Sequence, residues 1–355
     1  MVVERKALLD CLSNVMAGIS TSTALEGSEA FIFNEGYVHT YNETISVSCK
    51  LPEDCGELSG AIVAKEFFEV LKKFKDNDIS IFIKENIWKL RCGNATVELV
   101  KIQQAILPIV AKLIPENPEW TALGNEFFEC CAMALFSKNS SKIAGVYIYN
   151  DIIVSTDEMK INYLHLGKTV GDDVWLDDNA VKAVLKIENI EAIAIGKSWV
   201  HFHSKDGVIF SSRKIKGEYP YDFIKKRVSI HMKDSSDIQG RLPAELLSAL
   251  SRAASFSQNV DSFLALQLTF FESGIKIFTE KTFGKYTEIV PWDTDIGTKI
   301  KHPITILVDY KMLSAGISKC NSFYIKKIEY NSGAMSTMVF ENQYGVQLIG
   351  SLEED

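Results

Sequence analysis

The same order of elements is written three times along these 355 residues: an amphipathic helix, three short strands, a second helix and three more strands. A unit of this size leaves an apolar face that only neighbouring structure can cover, so the repetition narrows the fold more than any single motif does. In the first cycle the helix is residues 4–19, with Leu8, Leu12, Val15 and Ile19 on one face. Strands 30–33, 37–41 and 45–49 follow, the first two joined by the hairpin turn Asn34-Glu35-Gly36. Helix 63–74 sets Phe67, Leu71 and Phe74 on its apolar side, with Lys65 and Lys72 opposite. Strands 79–83, 88–92 and 96–101 complete the cycle, and the segment around Pro115 and Pro118 reads as a linker.

The second cycle starts with helix 126–136, which puts Phe128, Cys131 and Leu135 on one face. Strands 146–149, 152–155 and 160–164 follow, with Asn150-Asp151 as a turn, then helix 179–187 and strands 192–195, 199–203 and 208–212. Polar residues 232–239 read as a second linker. The third cycle opens at Leu242-Pro243, with proline near the first helical position and Leu246, Leu250 and Ala253 on the apolar face. Strands 264–271, 275–280 and 286–290, helix 309–317 and strands 322–330, 335–341 and 345–349 close the chain. Val70-Leu71-Lys72 recurs as Val184-Leu185-Lys186. That interval differs by one residue from the one between Tyr41-Asn42 and Thr156-Asp157. Thr279-Glu280 is the looser counterpart in the third copy.

Two amphipathic helices and about six short strands per copy pack most simply as antiparallel sheet on one side and helices on the other, an α+β fold. The expected domains are 1–117, 118–236 and 237–355. End strands present open edges, which are hazardous unless paired. Copies in a row can pair edges with their neighbours, and a closed ring leaves no edge.

Composition bounds the function. A formal net charge of −8 argues against a general nucleic-acid coat but leaves room for a local basic surface. The seven cysteines have no repeated spacing and no CxxC, as in a reduced, cytoplasmic protein with core thiols. The charged N-terminus is no signal peptide, and no apolar run approaches the ~20 residues of a membrane span.

Three stretches carry a family likeness. Ser155-Thr156-Asp157-Glu158-Met159-Lys160-Ile161 is similar to an A-T-D-G-H-R-L strand, and Lys214 to Pro220 to an I-x-G-x-[FY]-P segment. Val308-Asp309-Tyr310, followed by Lys319-Cys320, is similar to the pattern that enters a last helix. In this order, on a triplicate scaffold, they resemble the bacterial-type DNA sliding clamp, the beta subunit of the replicative DNA polymerase. Glu158-Met159 in place of Gly-His, and the tail Ser351 to Asp355, are departures of the kind a divergent or phage-encoded member carries.

The resemblance implies a head-to-tail homodimer forming a six-domain ring around duplex DNA, with strands 96–101 and 322–330 as contact edges. It also implies a groove between domains two and three for short peptide motifs of the polymerase and the clamp loader. Carried over by position, that groove is lined by Ile143, Thr156, Glu158, Met159, Lys160, Ile161, Pro220, Tyr310, Met335, Thr337, Val346 and Leu348. On the residues alone, apolar strand positions of this kind are core. The DNA channel would take Arg5, Lys6, Lys65, Lys72, Lys73, Lys138, Lys142, Lys182, Lys186, Arg252 and Lys311, through contacts that do not read sequence. Each of these cations taken singly also reads as part of a solvated face. The acidic tail Glu353-Glu354-Asp355 would select basic peptide flanks.

Other motifs fail. Gly196-Lys197-Ser198 and Gly167-Lys168-Thr169 lack the first glycine of a phosphate loop, with Glu191 and Asn162 standing there. His201 and His203 share a strand face without a third metal ligand. No nucleophile elbow is present, and no cofactor is implied. Two further readings stay open: an enzyme with an unrecognised site on a repeat scaffold, and a clamp-like scaffold that does not encircle DNA.

Overall fold

The computed structural model describes residues 1–20, 27–102, 118–135, 143–157, 159–232, 238–257, 265–293, 300, 302–318, 320, 322–330 and 333–351. They form two compact units, Met1–Gly124 with Val170–Lys216, and Asn125–Thr169 with Gly217–Asp355. Every ladder named below is antiparallel.

In the first unit one sheet runs in the order Val2–Glu4, Asp78–Lys84, Ile87–Cys92, Ala95–Ile102, Gly60–Val63, Ala30–Asn34, Tyr37–Tyr41, Ile45–Lys50, Ile209–Arg213, Trp199–Ser204, Ile190–Ile195 and Thr121–Ala122. Helix Arg5–Val15 buries Leu8, Leu12 and Val15 as its spacing predicts. It stops short of residue 19 because the chain tightens into the 3-10 turn Met16–Gly18. There the backbone presses on the sheet. Thr40 Oγ1 donates to the Val15 carbonyl at 2.6 Å, and a Cβ on Gly18 would collide with the Thr40 hydroxyl. Helix Ala64–Lys73 carries Glu66 in its first turn and Lys72 and Lys73 in its last, matching the helix dipole. Its Phe67 meets Trp88 edge-on at 5.6 Å, and Phe33 lies 5.1 Å from the same indole. These rings are fully buried and anchor the core. The expected hairpin is present, with Glu35 and Gly36 both at positive φ between paired strands.

In the second unit one run of strands is ordered Val146–Tyr149, Ile152–Thr156, Lys160–His165, Gly345–Gly350, Gly333–Asn342, Ser322–Tyr330 and Ile238–Gly240. A separate sheet has the order Gly284–Pro291, Gly274–Lys281, Ala265–Phe271 and Ile304–Asp309. Leu246, Leu250 and Ala253 lie in one cluster with Phe270, Phe323, Met338 and Phe340. All seven cysteines carry free thiols; six are buried and Cys320 is half-buried. No helix among the described residues is long and apolar enough to cross a membrane.

The element order departs from the sequence reading in instructive ways. Among the described residues each cycle has eight strands rather than about six. The extra ones, such as Val2–Glu4, Gly60–Val63 and Ile304–Asp309, precede helices and are too short or too uniformly apolar to show a period. Helix Leu246–Ser257 begins after Pro243, which stands outside it. In helix Asn125–Ala134 the buried face is Phe127, Cys130, Cys131 and Ala134, while Phe128 and Leu135 are half-buried. That segment is apolar nearly all round, so its phase is undetermined by pattern alone. Residues 232–239 are only partly linker: Met232 ends helix Tyr221–Met232, and Ile238–Gly240 pairs with Phe323–Ile325.

Helix Tyr221–Met232 is the largest omission. Tyr221, Ile224, Val228 and His231 recur at helical spacing, yet Pro220 and the run Lys225-Lys226-Arg227 make the stretch look extended and polar.

Candidate functional site

Hairpin Ile152–Thr156 and Lys160–His165 positions the first wall of the expected groove. Asp157 fixes its turn: one carboxylate oxygen accepts the N–H groups of Met159 and Lys160 at 3.2 and 2.7 Å. The backbone N–H of Gly350 donates to the Met159 carbonyl at 2.8 Å, tying the last strand to the same turn.

Register then decides which side chains share a face. Thr156 lies opposite Ile161, Ile161 opposite Leu348 and Leu348 opposite Val339, one continuous row across the sheet. Tyr163 opposite Val346 makes the next row on that face. Thr337, opposite Gly350, lies on it as well. Lys160 falls on the other face, opposite Ile349. It is 2% exposed, and burial pushes its ammonium down to about 8, with the Asp157 carboxylate opposing that shift. Burial in turn raises the Asp157 carboxyl. Tyr310 opens helix Tyr310–Ile317 and packs on the third-cycle core, on the same side as Ile349.

Helix Tyr221–Met232, absent from the sequence reading, covers part of the row-bearing face. The Tyr221 and Tyr163 hydroxyls lie 3.1 Å apart. His231 Nδ1–H donates to the Arg227 carbonyl at 2.7 Å, which leaves Nε2 to accept the Thr337 hydroxyl at 3.1 Å. Burial holds His231 below its ordinary range, consistent with this neutral tautomer. Ile161, Thr156, Thr337, Val346 and Leu348 are buried, whereas Ile143, Met159 and Pro220 are half-buried. Met335 is placed by its backbone, opposite Ile328, and Glu158 lies outside the described residues. The helical spacing of Tyr221, Ile224 and Val228 is the signal that could have found this wall.

The expected DNA-facing cations divide by what they already touch. Lys6, Lys65, Lys73, Lys182, Lys186 and Lys311 are exposed. Lys72 is exposed too, 3.7 Å from Glu69 and over the Phe68 ring. Arg5 is half-buried and donates to the carbonyls of Asp76 and Leu71 at 3.0 and 3.5 Å. Arg252 pairs with Glu245 at 2.9 Å and Glu288 at 2.6 Å. Lys138 and Lys142 lie outside the described residues. His201 is buried with Nδ1 2.8 Å from Ser211 Oγ, and His203 lies 3.6 Å from Glu191.

No protein-family model matches this chain, and no curated protein matches it in sequence. Solved structures do. The DNA polymerase sliding clamp from Bacillus subtilis superposes with a TM-score of 0.78 at 16% identity, over 100% of this chain and 99% of that one. The Streptococcus pyogenes DNA polymerase beta subunit gives 0.75 at 19% identity, covering 99% of each chain. The Helicobacter pylori beta clamp bound to a DNA ligase peptide gives 0.76 at 14% identity, again over 99% of each. The fold is that of the bacterial sliding clamps along its whole length.

Proposed function

We propose that this protein is a DNA polymerase processivity factor: two copies close a ring around duplex DNA and tether the polymerase through the groove. The observation that carries the reading is a strand join used twice. The third long strand of one cycle pairs with the last strand of the next: Ile45–Lys50 with Ile209–Arg213, and Lys160–His165 with Gly345–Gly350. By the same rule Gly284–Pro291 of the third cycle takes Ala95–Ile102 of the first, and that partner belongs to a second copy.

Both strands are suited to it. Gly284–Pro291 ends its sheet. Ala95–Ile102 meets Gly60–Val63 only through Lys101 and Ile102. Val100 is 73% exposed, Phe283 61% and Ile289 57%, apolar area that a partner strand would cover. The edge expected at 322–330 is a poorer candidate, because Ile238–Gly240 already pairs with part of it. Two such joins, related by a two-fold axis, pair both of these strands in each copy.

On this reading the domains are 1–117, 118–236 and 237–355. Lys6, Lys65, Lys72, Lys73, Lys182, Lys186 and Lys311 supply sequence-blind phosphate contacts. Arg5 and Arg252, already engaged within the chain, contribute less. The row Thr156, Ile161, Leu348, with Val346, Met159 and Pro220, takes a partner's apolar anchors, as the ligase peptide on the Helicobacter pylori clamp suggests. Polymerase and clamp loader are the partners, the reading requires neither catalytic group nor cofactor, and the place of action is the cytoplasm.

Light scattering at micromolar concentration tests the ring, with the mass of a dimer expected. The tether is tested by loading the protein on DNA: it stays on circular duplex and leaves a linear one. Equal retention on both, or a monomer throughout the concentration range, overturns the proposal.

A further inference from the structure

Helix Tyr221–Met232 buries Tyr221, Ile224, Val228 and His231, so its opposite face should be polar. It is only partly so. Phe223 is 64% exposed and Ile230, seven residues on and therefore on the same side, is 42% exposed. Between them on that side lie Lys226 and Arg227, with Lys225 adjacent and Asp222 as the acidic residue of the helix. Lys326 also reaches the helix, its ammonium donating to the Ile230 carbonyl at 2.9 Å. Tyr149, exposed at its rim, lies 4.5 Å from the Tyr221 ring and continues the aromatic surface at the helix start. Two large apolar side chains framed by cations offer a partner both apolar area and charge. The same helix touches the groove face through Tyr221 and His231, so the two surfaces are the outer and inner sides of one element.

The geometry points to a second docking surface on the outer face of this helix, taking an acidic segment with an apolar anchor that continues the peptide held in the groove. Charge selects the occupant. Lys225, Lys226, Arg227 and Lys326 against Asp222 favour glutamate- or aspartate-rich chain and disfavour basic flanks. Phe223 and Ile230 supply the apolar contact, spaced by two helical turns. Linking the segment to a groove-bound peptide makes its docking intramolecular, so a weak contact gains by proximity. The inference rests on the groove reading for the position of the first peptide, though not for the chemistry of the face.

The test uses the full chain and fluorescence anisotropy. Probes are an acetylated leucine- and phenylalanine-bearing peptide, the same peptide with a glutamate–phenylalanine extension at either end, the extension alone, and a glutamine version of it. At low salt the glutamate extension at one end tightens binding about tenfold. Phe223→Ser with Ile230→Ser removes that gain and leaves the unextended peptide unchanged; salt removes it too. Loss of the unextended peptide's binding in Met159→Ala, Leu348→Ala reports on the groove separately. If that peptide does not bind, the extension alone decides: weak binding lost in the Phe223→Ser, Ile230→Ser variant supports the face. No gain and no binding of the extension, equal gain from the glutamine version, or a gain that survives in that variant overturns the inference. Both substituted side chains are exposed, so folding is preserved; Lys225→Glu with Lys226→Glu gives an independent check of the charge.

Discussion

The two joins between cycles have the same backbone and opposite side chains. At the second, the row across the sheet is Val339, Leu348, Ile161, Thr156. At the first, the same positions are His201, Ser211, Ser46, Tyr41. The strand ladder is indifferent to this exchange, because main-chain hydrogen bonds need no particular side chain. The proposed groove would therefore be a property of the residues written onto the second join and not of the fold. On the other face the contrast reverses. Lys160 occupies the second join, where the first carries Ile45.

The largest expected effect extends the comparison to the join between copies. Val100→Asp with Ile289→Asp places carboxylates in that contact and should turn a dimer into a monomer at micromolar concentration, seen as a halved mass. Both side chains are exposed in the single chain, so its circular dichroism should be unchanged, and the thermal midpoint should lose only what dimerisation adds. An unchanged mass would mean that the copies join elsewhere.

Rewriting the second join as the first comes next. Ile161→Ser with Leu348→Ser should weaken an apolar partner peptide by about a hundredfold, since an apolar anchor seated over two buried hydroxyls cuts them off from water at ~1–3 kcal/mol each. Calorimetric titration measures it, with circular dichroism confirming that the sheet survives. Undiminished affinity would move the groove away from this row.

Acid should separate the joins. Burial pushes His201 down to about 4 from the ordinary value of 6.5. Between those values the unfolded chain binds a proton that the folded one refuses, so stability is lost as pH falls from about 6.5 to about 4, by ~2–3 kcal/mol. His201→Asn should flatten that part of a denaturation profile taken against pH. A slope that persists in full assigns the acid sensitivity to other groups.

The smallest effect lies on the alkaline side. Lys160 has its ammonium at about 8 in the fold against 10.5 ordinarily, so the unfolded chain holds the extra proton in that window and stability rises with pH. Between pH 8 and 9.5 this amounts to ~1–2 kcal/mol. The difference between wild type and Lys160→Ile isolates it from tyrosines and thiols that titrate nearby. Identical profiles would show that the ammonium is solvated.

Much of this was determined by local pattern. Leu8, Leu12 and Val15 specify a helix face, Glu35-Gly36 a tight turn, and alternating Ile and Val the strands, because each signal acts between neighbours in the chain. The order of three cycles, and with it the fold class, follows from those signals alone. What the chain could not declare is which strand lies beside which. Ile161 faces Leu348, and Ser46 faces Ser211, across sequence separations that no periodicity spans. That register put Lys160 on the face away from Ile161, made a wall of helix Tyr221–Met232, and left Phe223 and Ile230 outside. Pairing at such distance is settled by the whole sheet burying its apolar rows at once, a tertiary balance that a stretch of sequence does not contain.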